Sequence, residues 1–507
     1  MDFSSLRMRR QTDHPVTLEL HTRFWLNTWR RRTGKEGLTL ADLPDEALEE
    51  IASPPVDFIW LMGVWELSPA SRAIARQLAH KSPEYRRVLP DLDPDRDVEG
   101  SPYAVSAYRV AADLGGPEAL AALRRRLQAR GVRCLLDFVP NHTACDHPWV
   151  REHPEYYVGL PAERPAPDVA QSFLVDTRRG MWRIAHGRDP HFPAWTDTAQ
   201  LNIFHPATRS RLIATLHEIA RQCDGVRCDM AMLLLNDVFG RTWWPWLDGR
   251  GMPETEFWPE AIFEIRRLWP DFLFLAEVYW DLEYRLQQLG FDYTYDKRFY
   301  DRVMTSTGEM IRAHLVADWD YQIRCLRFLE NHDEARVASR LSPAQHRAAA
   351  VLLATVPGMR FWYQGQREGR RLRAPIQLVR WPEEEPNFVL ATWYDMLLAL
   401  QEHPALQQGW WRLLSPERLP GEDEAYRNVI AYRWDAGRQG RLLVTVNYQA
   451  RRARLRLRVD VLGISGRTAK LRDRLSGKEL IGPGSVWFET GVELNMEPYE
   501  ANIWEIL

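Results

Sequence analysis

The sequence predicts an α/β fold, a (β/α)8 barrel with an inserted subdomain after its third strand and an all-β sandwich domain towards its C-terminal end. Three observations predict this class. Eight short apolar runs alternate with longer helical patterns between residues 16 and 365, a long polar segment follows the third run, and apolar and polar residues alternate beyond about residue 425. Apolar strands that alternate with helices indicate a parallel sheet covered on both faces, and eight of them indicate a closed barrel.

The predicted barrel strands follow the chain in order. They are VTLEL (16–20), VDFIWLM (56–62), VRCLLDFV (132–139), GVRCDMAM (225–232), FLFLAEVYW (272–280), FDYTYD (291–296), RCLRFLE (324–330) and MRFWYQG (359–365). Segment 115–131 between the second and third strands spaces its apolar residues as a helix does, and its final glycine suits a helix C-cap. We therefore assign residues 1–141 and 205–424 to a (β/α)8, or TIM, barrel, residues 142–204 to an inserted subdomain and residues 425–507 to a β-sandwich.

Composition narrows the function classes. The 507 residues carry a net charge of -3, which argues against nucleic acid as a partner. The chain contains no run of about 18 apolar residues, so no membrane span is expected, and its first fifteen residues lack the apolar stretch of a secretory signal. The five cysteines are odd in number and show no C-x-x-C spacing, which favours free thiols in a reducing compartment. We expect a cytoplasmic protein, whose oligomeric state stays open.

Chemically active side chains gather at the C-terminal ends of four predicted strands. They are Asp137, Asn141 and His142 at the third strand, Arg227 and Asp229 at the fourth, Glu277 at the fifth, and His332 and Asp333 at the seventh. Barrel enzymes place catalysis at this face of the barrel. Several carboxylates that converge in a cleft suit cleavage of a glycosidic bond. A retaining enzyme of that kind needs an ionised nucleophile and a protonated acid about 5 Å apart.

Two of these carboxylates have neighbours that favour different protonation states. Arg227 lies two residues before Asp229, so both side chains point to one face of the strand and the cation would keep Asp229 ionised. Glu277 follows the apolar run FLFLA, and an apolar pocket would raise its pKa and preserve its proton for a leaving oxygen.

Four segments carry a resemblance to a known family. LLDFVPNH, GVRCDMAM, FLAEVYW and FLENHD occur in this order. They resemble the four strand-end motifs of glycoside hydrolase family 13, the α-amylase family, and the chain resembles its α-glucosidase and oligosaccharide-acting members more than its endo-amylases. The resemblance implies that Asp229 is the nucleophile, that Glu277 is the general acid/base, and that Asp333 binds sugar hydroxyls and supports the transition state.

The same resemblance implies substrate-binding and structural residues. Those implied to bind the transferred sugar are Tyr103, which would stack on it, and His142, Arg227 and His332. Asp137 is implied to form hydrogen bonds near Arg227, in a structural role. Asn141 is implied to tie down a loop, although the matching position is a calcium ligand in many members.

No cofactor is expected to be required, and no metal ligand is assigned. Calcium is the alternative, at Asn141 or at the loop DLDPDRDVEG (91–100), whose acids alternate as in a calcium loop. That loop lacks the glycine of the sharp turn and the closing glutamate, so we interpret it as a solvated acidic loop. Glu330 and Glu334 are likewise expected to be solvated flanks of the seventh strand.

The expected activity is retaining hydrolysis of short α-glucosides or malto-oligosaccharides through a covalent glycosyl-enzyme intermediate. Many starch-cleaving members have Lys-His where this chain has Met232 and Leu233, so we expect a more apolar leaving-group side. The alternative is a transglycosylase of the same family that acts on sucrose, trehalose or malto-oligosaccharides. A third reading, a non-catalytic carbohydrate-binding protein, is disfavoured because all three acids are present.

Overall fold

The structure is a computed structural model that describes residues 14–52, 56–247, 249, 251–458 and 468–507. The first thirteen residues, on which the expectation of no secretory signal mainly depends, lie outside the described residues. Within the described ranges, no helix combines the length and the hydropathy that a membrane crossing requires.

Eight parallel strands close into a barrel. They are β1 (Val16–His21), β2 (Phe58–Met62), β3 (Arg133–Phe138), β4 (Gly225–Cys228), β5 (Leu273–Ala276), β6 (Tyr293–Tyr295), β7 (Cys325–Arg327) and β8 (Met359–Tyr363). Each strand pairs with its neighbours in chain order, and β8 closes the ring by pairing with β1. Each strand coincides with one predicted run, β1 being one residue longer than its run, so the predicted barrel is confirmed. The strands are almost wholly buried, as a parallel sheet covered on both faces requires.

Helices cover the outside of the barrel, and local sequence signals set their ends. The main ones are Thr22–Thr33, Asp45–Ala52, Pro69–Lys81, Pro83–Val88, Gly116–Gln128, Pro206–Ala220, Asn236–Trp243, Phe257–Leu268, Glu283–Gln288, Lys297–Thr305, Gly308–His314, Pro343–Thr355 and Phe388–Ala399. The helix at Pro343 has proline in its first turn, and the Ser342 side chain caps it by accepting from the Gln345 N–H. The helix at Thr22 ends at Gly34, whose left-handed φ of 67° suits glycine.

The segment after β3 forms two small antiparallel sheets. One contains Gly159–Pro161, Ser172–Thr177 and Gly180–Ala185, and the other pairs His142–Ala144 with Thr198–Gln200. The paired strands are the first and last of the segment, so both of its ends are tied together beside the barrel. The connection after β2 also carries a two-stranded antiparallel sheet, Trp65–Leu67 with Val105–Val110, beside which Tyr103 lies over the same end of the barrel.

The C-terminal part consists of two antiparallel sheets that enclose an apolar cluster, which includes Leu443, Leu455 and Trp504. The six-stranded sheet contains Trp410–Leu414, Val429–Asp435, Arg441–Asn447, Thr468–Asp473, Glu479–Pro483 and Ala501–Ile506, and the three-stranded sheet contains Pro416–Arg418, Ala453–Leu457 and Val492–Met496. The first strand begins before residue 425, where the sequence analysis placed the boundary. It is an edge strand in which two of five residues are exposed and one is buried, so its apolar pattern is weak.

Candidate active site

The site is built around the guanidinium of Arg227 on β4. Its Nη1 donates to Asp229 Oδ1 at 2.6 Å, and its Nη2 lies 2.8 Å from Glu277 Oε2. The side chain is 1% exposed, and the guanidinium carbon lies 5.1 Å from the ring centre of Trp60 and 5.2 Å from that of Tyr103. A cation so enclosed would be costly without partners, and the two carboxylates and the ring faces supply them.

Strand register brings Asp229 and Glu277 together. Strands β4 and β5 are neighbours with Cys228 opposite Ala276, and the Glu277 N–H donates to the Cys228 carbonyl at 3.1 Å. The residue that follows each strand therefore projects from the same rim. Met230 then adopts a left-handed backbone with φ of 44°, and its N–H donates to Glu277 Oε2 at 2.7 Å. Such a conformation is uncommon for a residue other than glycine, and strain of this kind concentrates at functional sites.

The two carboxylates differ in their hydrogen bonds. Burial raises the pKa of Glu277 to about 7 against the opposing charge of Arg227. Burial also raises the pKa of Asp229, which Arg227 opposes through its charge and its hydrogen bond. Arg227 and Met230 occupy Oε2 of Glu277, whereas Oε1 faces the Tyr279 hydroxyl at 2.8 Å. Oε1 is thus the oxygen left to carry an acidic proton. The sequence analysis predicted that Arg227 keeps Asp229 ionised, and in the structure Arg227 contacts both Asp229 and Glu277.

The third acid belongs to a chain of charges that runs into the barrel. His332 Nε2 lies 3.0 Å from Asp333 Oδ2 and 2.8 Å from the Tyr103 hydroxyl, and its Nδ1 lies 2.5 Å from Glu19 Oε1. Burial would lower the pKa of His332, but Asp333 and Glu19 raise it well above its ordinary value. Burial would raise the pKa of Asp333, but the adjacent His332 cation outweighs it and lowers that pKa to about 2. The Asp333 side chain is 49% exposed and faces the cleft as a carboxylate.

Most of the residues predicted to bind substrate converge here. The Tyr103 ring stacks on that of His332, with centroids 5.4 Å apart and planes 25° apart. His142 lies beside Trp195, with ring centroids 5.1 Å apart, and bonds to the Tyr103 backbone. Burial lowers the pKa of His142 to about 4, so its ring is neutral near pH 7.

Asp137 is fully enclosed beneath the site. Its carboxylate accepts from Trp60 Nε1 at 3.1 Å and from the Gly63 N–H at 2.8 Å. Burial raises the pKa of Asp137 to about 6, against the charge of Arg227. These contacts tie β3 to β2 and orient the Trp60 ring on which Arg227 lies.

Gln200 contacts both oxygens of Asn141. Gln200 Nε2 donates to Asn141 Oδ1 at 3.0 Å and to its backbone oxygen at 2.8 Å. In the acidic loop, Asp97 is buried and accepts from Arg380, whereas Asp91 also accepts from Arg380 but has a side chain that is 70% exposed, as expected of a solvated loop. Throughout the ranges that the structure describes, no three His, Cys, Asp or Glu residues converge as metal ligands would.

Two expectations about neighbouring residues are wrong. Glu330, expected to be solvated, is buried and pairs with Arg336 Nη1 at 2.6 Å, because the chain after the site folds back over β7. Met232 and Leu233 are buried in the core by a short 3₁₀ turn, so they add no apolar surface to the leaving-group side. Glu334 is partly exposed, 3.3 Å from Lys297.

Sequence reasoning missed several residues at the site. Glu19 is a charged residue inside the apolar run VTLEL, and Tyr279 lies two residues after Glu277 on the same side; both signals were visible in the sequence. Trp280, 36% exposed, contacts His191 of the inserted segment with ring centroids 5.0 Å apart. The contact between Trp280 and His191 depends on how the inserted segment folds, and no signal in the sequence indicated it.

Comparison with known proteins agrees with this geometry. A family model described as alpha amylase, catalytic domain, matches residues 91–373, more than half of the chain. Among curated relatives, α-amylase 3 of Dictyoglomus thermophilum is 22% identical over 299 residues, 54% of this chain and 55% of that protein, so the chain spans about half the length of that relative. The α-1,4-glucan:maltose-1-phosphate maltosyltransferase of Cereibacter sphaeroides is 38% identical over 71 residues, 13% of this chain and 12% of that protein.

A solved structure shows the same fold over nearly the whole chain. The α-amylase of Geobacillus thermoleovorans superposes with a TM-score of 0.66 at 18% identity, covering 98% of this chain and 99% of that one. The family model, for its part, spans the strand ends that carry Asp229, Glu277 and Asp333. The chain therefore belongs to the α-amylase family, glycoside hydrolase family 13.

Proposed function

We propose that the chain is a retaining α-glycoside hydrolase that acts on short α-glucosides or malto-oligosaccharides. One observation carries the proposal: Asp229 and Glu277 are each bonded to a terminal nitrogen of the same Arg227 guanidinium. Two carboxyl groups that share one guanidinium lie close together. Retaining enzymes separate their carboxyls by about 5–5.5 Å, whereas inverting enzymes need about 6.5–9.5 Å to admit a water.

The reaction would take two steps. Asp229 attacks the anomeric carbon while Glu277 Oε1 gives its proton to the departing glycosidic oxygen, which leaves a covalent glycosyl-enzyme and a Glu277 carboxylate. A water then loses a proton to Glu277 as its oxygen attacks the same carbon and releases Asp229. Two inversions return the original α configuration. Asp333, kept ionised by His332, would hold sugar hydroxyls, and Tyr103 would stack on the ring.

The preference for short substrates rests on the rim beyond Glu277. Trp280, three residues after Glu277, contacts His191 of the inserted segment, with ring centroids 5.0 Å apart. Both side chains are exposed, so they can contact the unit that leaves with the glycosidic oxygen. A contact between the barrel and the inserted segment at this point would favour one or two leaving units over a long polymer.

Transglycosylation is the second candidate, because one relative is a maltosyltransferase and because the same acids can activate a sugar hydroxyl in place of water. The outcome depends on whether the rim holds a sugar acceptor well enough to exclude water. The Trp280 ring offers a stacking surface for such an acceptor.

Two further features belong to the proposal. The Asn141–Gln200 pairing supports catalysis without calcium. All five cysteines lie among the described residues and are free, which supports a reducing, cytoplasmic location.

A proton NMR time course tests the activity directly. The substrates are maltose, isomaltose, sucrose, trehalose and maltotetraose, with Asp229→Ala alongside and Asp113→Ala, a surface acid, as the matched control. α-Glucose that appears first, in the wild type and the control only, is the expected result. β-Glucose appearing first would overturn retention. New oligosaccharides without net glucose would replace hydrolysis with transfer.

A further inference from the structure

A buried carboxylate on β1 has no role in the mechanism above. Glu19 lies in the middle of the strand between Leu18 and Leu20, and it is 0% exposed. A carboxylate inside the barrel is costly unless it is paired. Its Oε1 lies against His332 Nδ1 at 2.5 Å, and its Oε2 has no hydrogen-bond partner. The contact with His332 is therefore the hydrogen bond that helps to offset its burial.

The geometry of His332 specifies its protonation. A neutral imidazole has one N–H and one acceptor nitrogen, so it can donate to only one carboxylate. In this site Nδ1 faces Glu19 at 2.5 Å, and Nε2 faces both the Tyr103 hydroxyl at 2.8 Å and Asp333 at 3.0 Å. The Tyr103 hydroxyl can donate or accept, so its contact fits either state of the ring, whereas ionised carboxylates only accept, so both carboxylate contacts are hydrogen bonds only when both ring nitrogens carry protons. The arrangement is that of an imidazolium between two carboxylates.

We propose that Glu19 is a positioning residue that keeps His332 as an imidazolium, and that His332 in turn keeps Asp333 ionised and fixed where it meets the sugar. This inference rests on the proposed function for its catalytic meaning. Without the charge of Glu19, the buried ring would favour its neutral form. Nε2 would then present a lone pair to Asp333, and the third acid would lose the cation that orients it.

Other charged and titratable groups around His332 do not replace Glu19. Those that face it from neighbouring elements are His21 on β1, Tyr103 after β2, Asp137 on β3, Asp229 after β4 and Asp333 itself. Around Glu19 lie Tyr295, Glu330, Arg336 and Tyr363. Arg336 is already bonded to Glu330, and Asp137 and Asp229 bond to Trp60 and Arg227, so Glu19 is the carboxylate assigned to Nδ1.

The protonation state tests the proposal without any turnover. Glu19→Gln keeps an acceptor of the same shape and removes the charge. In protein labelled with ¹⁵N-histidine, the His332 ring, assigned from its loss in His332→Gln, should show two protonated nitrogens from about pH 6 to about pH 8. In Glu19→Gln one nitrogen should become unprotonated within that range, and Glu19→Asp should retain both protons. Two protonated nitrogens in Glu19→Gln throughout would overturn the proposal.

Kinetics supply the second readout. Glu19→Gln should lower kcat/KM by about tenfold to a hundredfold, the range for a lost hydrogen bond between charged groups. The reduction in kcat/KM relative to the wild type should become larger as pH rises. Glu330→Gln is the matched control, since it is an equally buried glutamate paired with Arg336 instead of His332. Equal pH profiles for the two variants would reduce Glu19 to a structural residue. A wild type that cleaves no sugar would defeat the proposed function, whereas the NMR result would still decide the role of Glu19 towards His332.

Discussion

The Tyr279 hydroxyl donates to Glu277 Oε1 at 2.8 Å, on the oxygen that Arg227 leaves free. A donor to a carboxylate stabilises its charged form, so this bond opposes the effect of burial on the pKa of Glu277. It connects the proposed acid to a residue of the FLAEVYW motif to which the family resemblance assigned no role. The strength of the acid thus depends on a side chain two residues along the same rim.

Tyr279→Phe should therefore raise the pKa of Glu277 above its value of about 7. The basic limb of kcat/KM should move to higher pH, and kcat should fall about tenfold because the bond to the Glu277 carboxylate is lost when it acts as a base. Tyr284→Phe, an exposed tyrosine on the next helix, is the control and should match the wild type. A basic limb that moves to lower pH in Tyr279→Phe contradicts the assignment.

The wild-type pH profile follows from the same group. Glu277 must carry its proton to assist departure of the leaving group, and its raised pKa preserves that proton up to about pH 7. We expect kcat/KM to be greatest below about pH 7 and to decline as pH rises through it, since that parameter reports the free enzyme. The profile is measured with the substrate that the NMR assay selects. A plateau that extends beyond about pH 8.5 would be inconsistent with Glu277 as the acid.

Trp280→Ala tests the rim beyond the catalytic acids. Loss of ring stacking should lower kcat/KM for maltotriose about three- to tenfold, whereas α-glucosyl fluoride, whose leaving group is too small to reach the ring, should react at the wild-type rate. Trp244→Ala removes a tryptophan that is more exposed than Trp280, 64% against 36%, from a short 3₁₀ helix outside the described site, and serves as the control. Equal losses on both substrates would remove Trp280 from the leaving-group side.

Arg336→Met tests how much the buried Arg336–Glu330 pair contributes to stability. It leaves Glu330 as a buried carboxylate without its cation, although Glu330 still accepts from the Val337 N–H at 2.7 Å. The free energy of unfolding in urea should fall by about 3–5 kcal/mol. Arg109→Met breaks a pair with Glu66 whose arginine is 67% exposed, and it should cost less than about 1 kcal/mol. Similar losses of unfolding free energy in the two variants would show that burial does not increase the contribution of the pair to stability.

Removal of metal ions tests the interpretation of Asn141. Because its side chain bonds to Gln200, treatment with EDTA should leave both the melting temperature and kcat unchanged. Asn141→Ala should instead lower the melting temperature by loosening the strand pair that begins the inserted segment. Activity lost to EDTA and restored by calcium alone would show that a calcium site exists.

Much of the fold and the central acids could be predicted because the signals are local. An apolar run bounded by turns specifies a buried strand wherever its partners are, and eight runs required a barrel. Parallel strands of a closed barrel all point the same way, so side chains after their C-terminal ends must share one rim. The positions of Asp229, Glu277 and Asp333 followed from that rule alone.

Only the tertiary structure decided which partner each buried charge has. Glu19 and His332 are separated by 313 positions in the chain, and no local pattern links them. From the sequence Glu330 was expected to be solvated, but in the structure Arg336 pairs with it in the interior. Met232 was expected to face the cleft, but a short 3₁₀ turn buries it. Hydrophobic periodicity determines which segments are buried, whereas the state of a buried ionisable group depends on contacts between segments. The sequence by itself therefore determined the barrel and its acids, and the packed structure determined how those acids are held and charged.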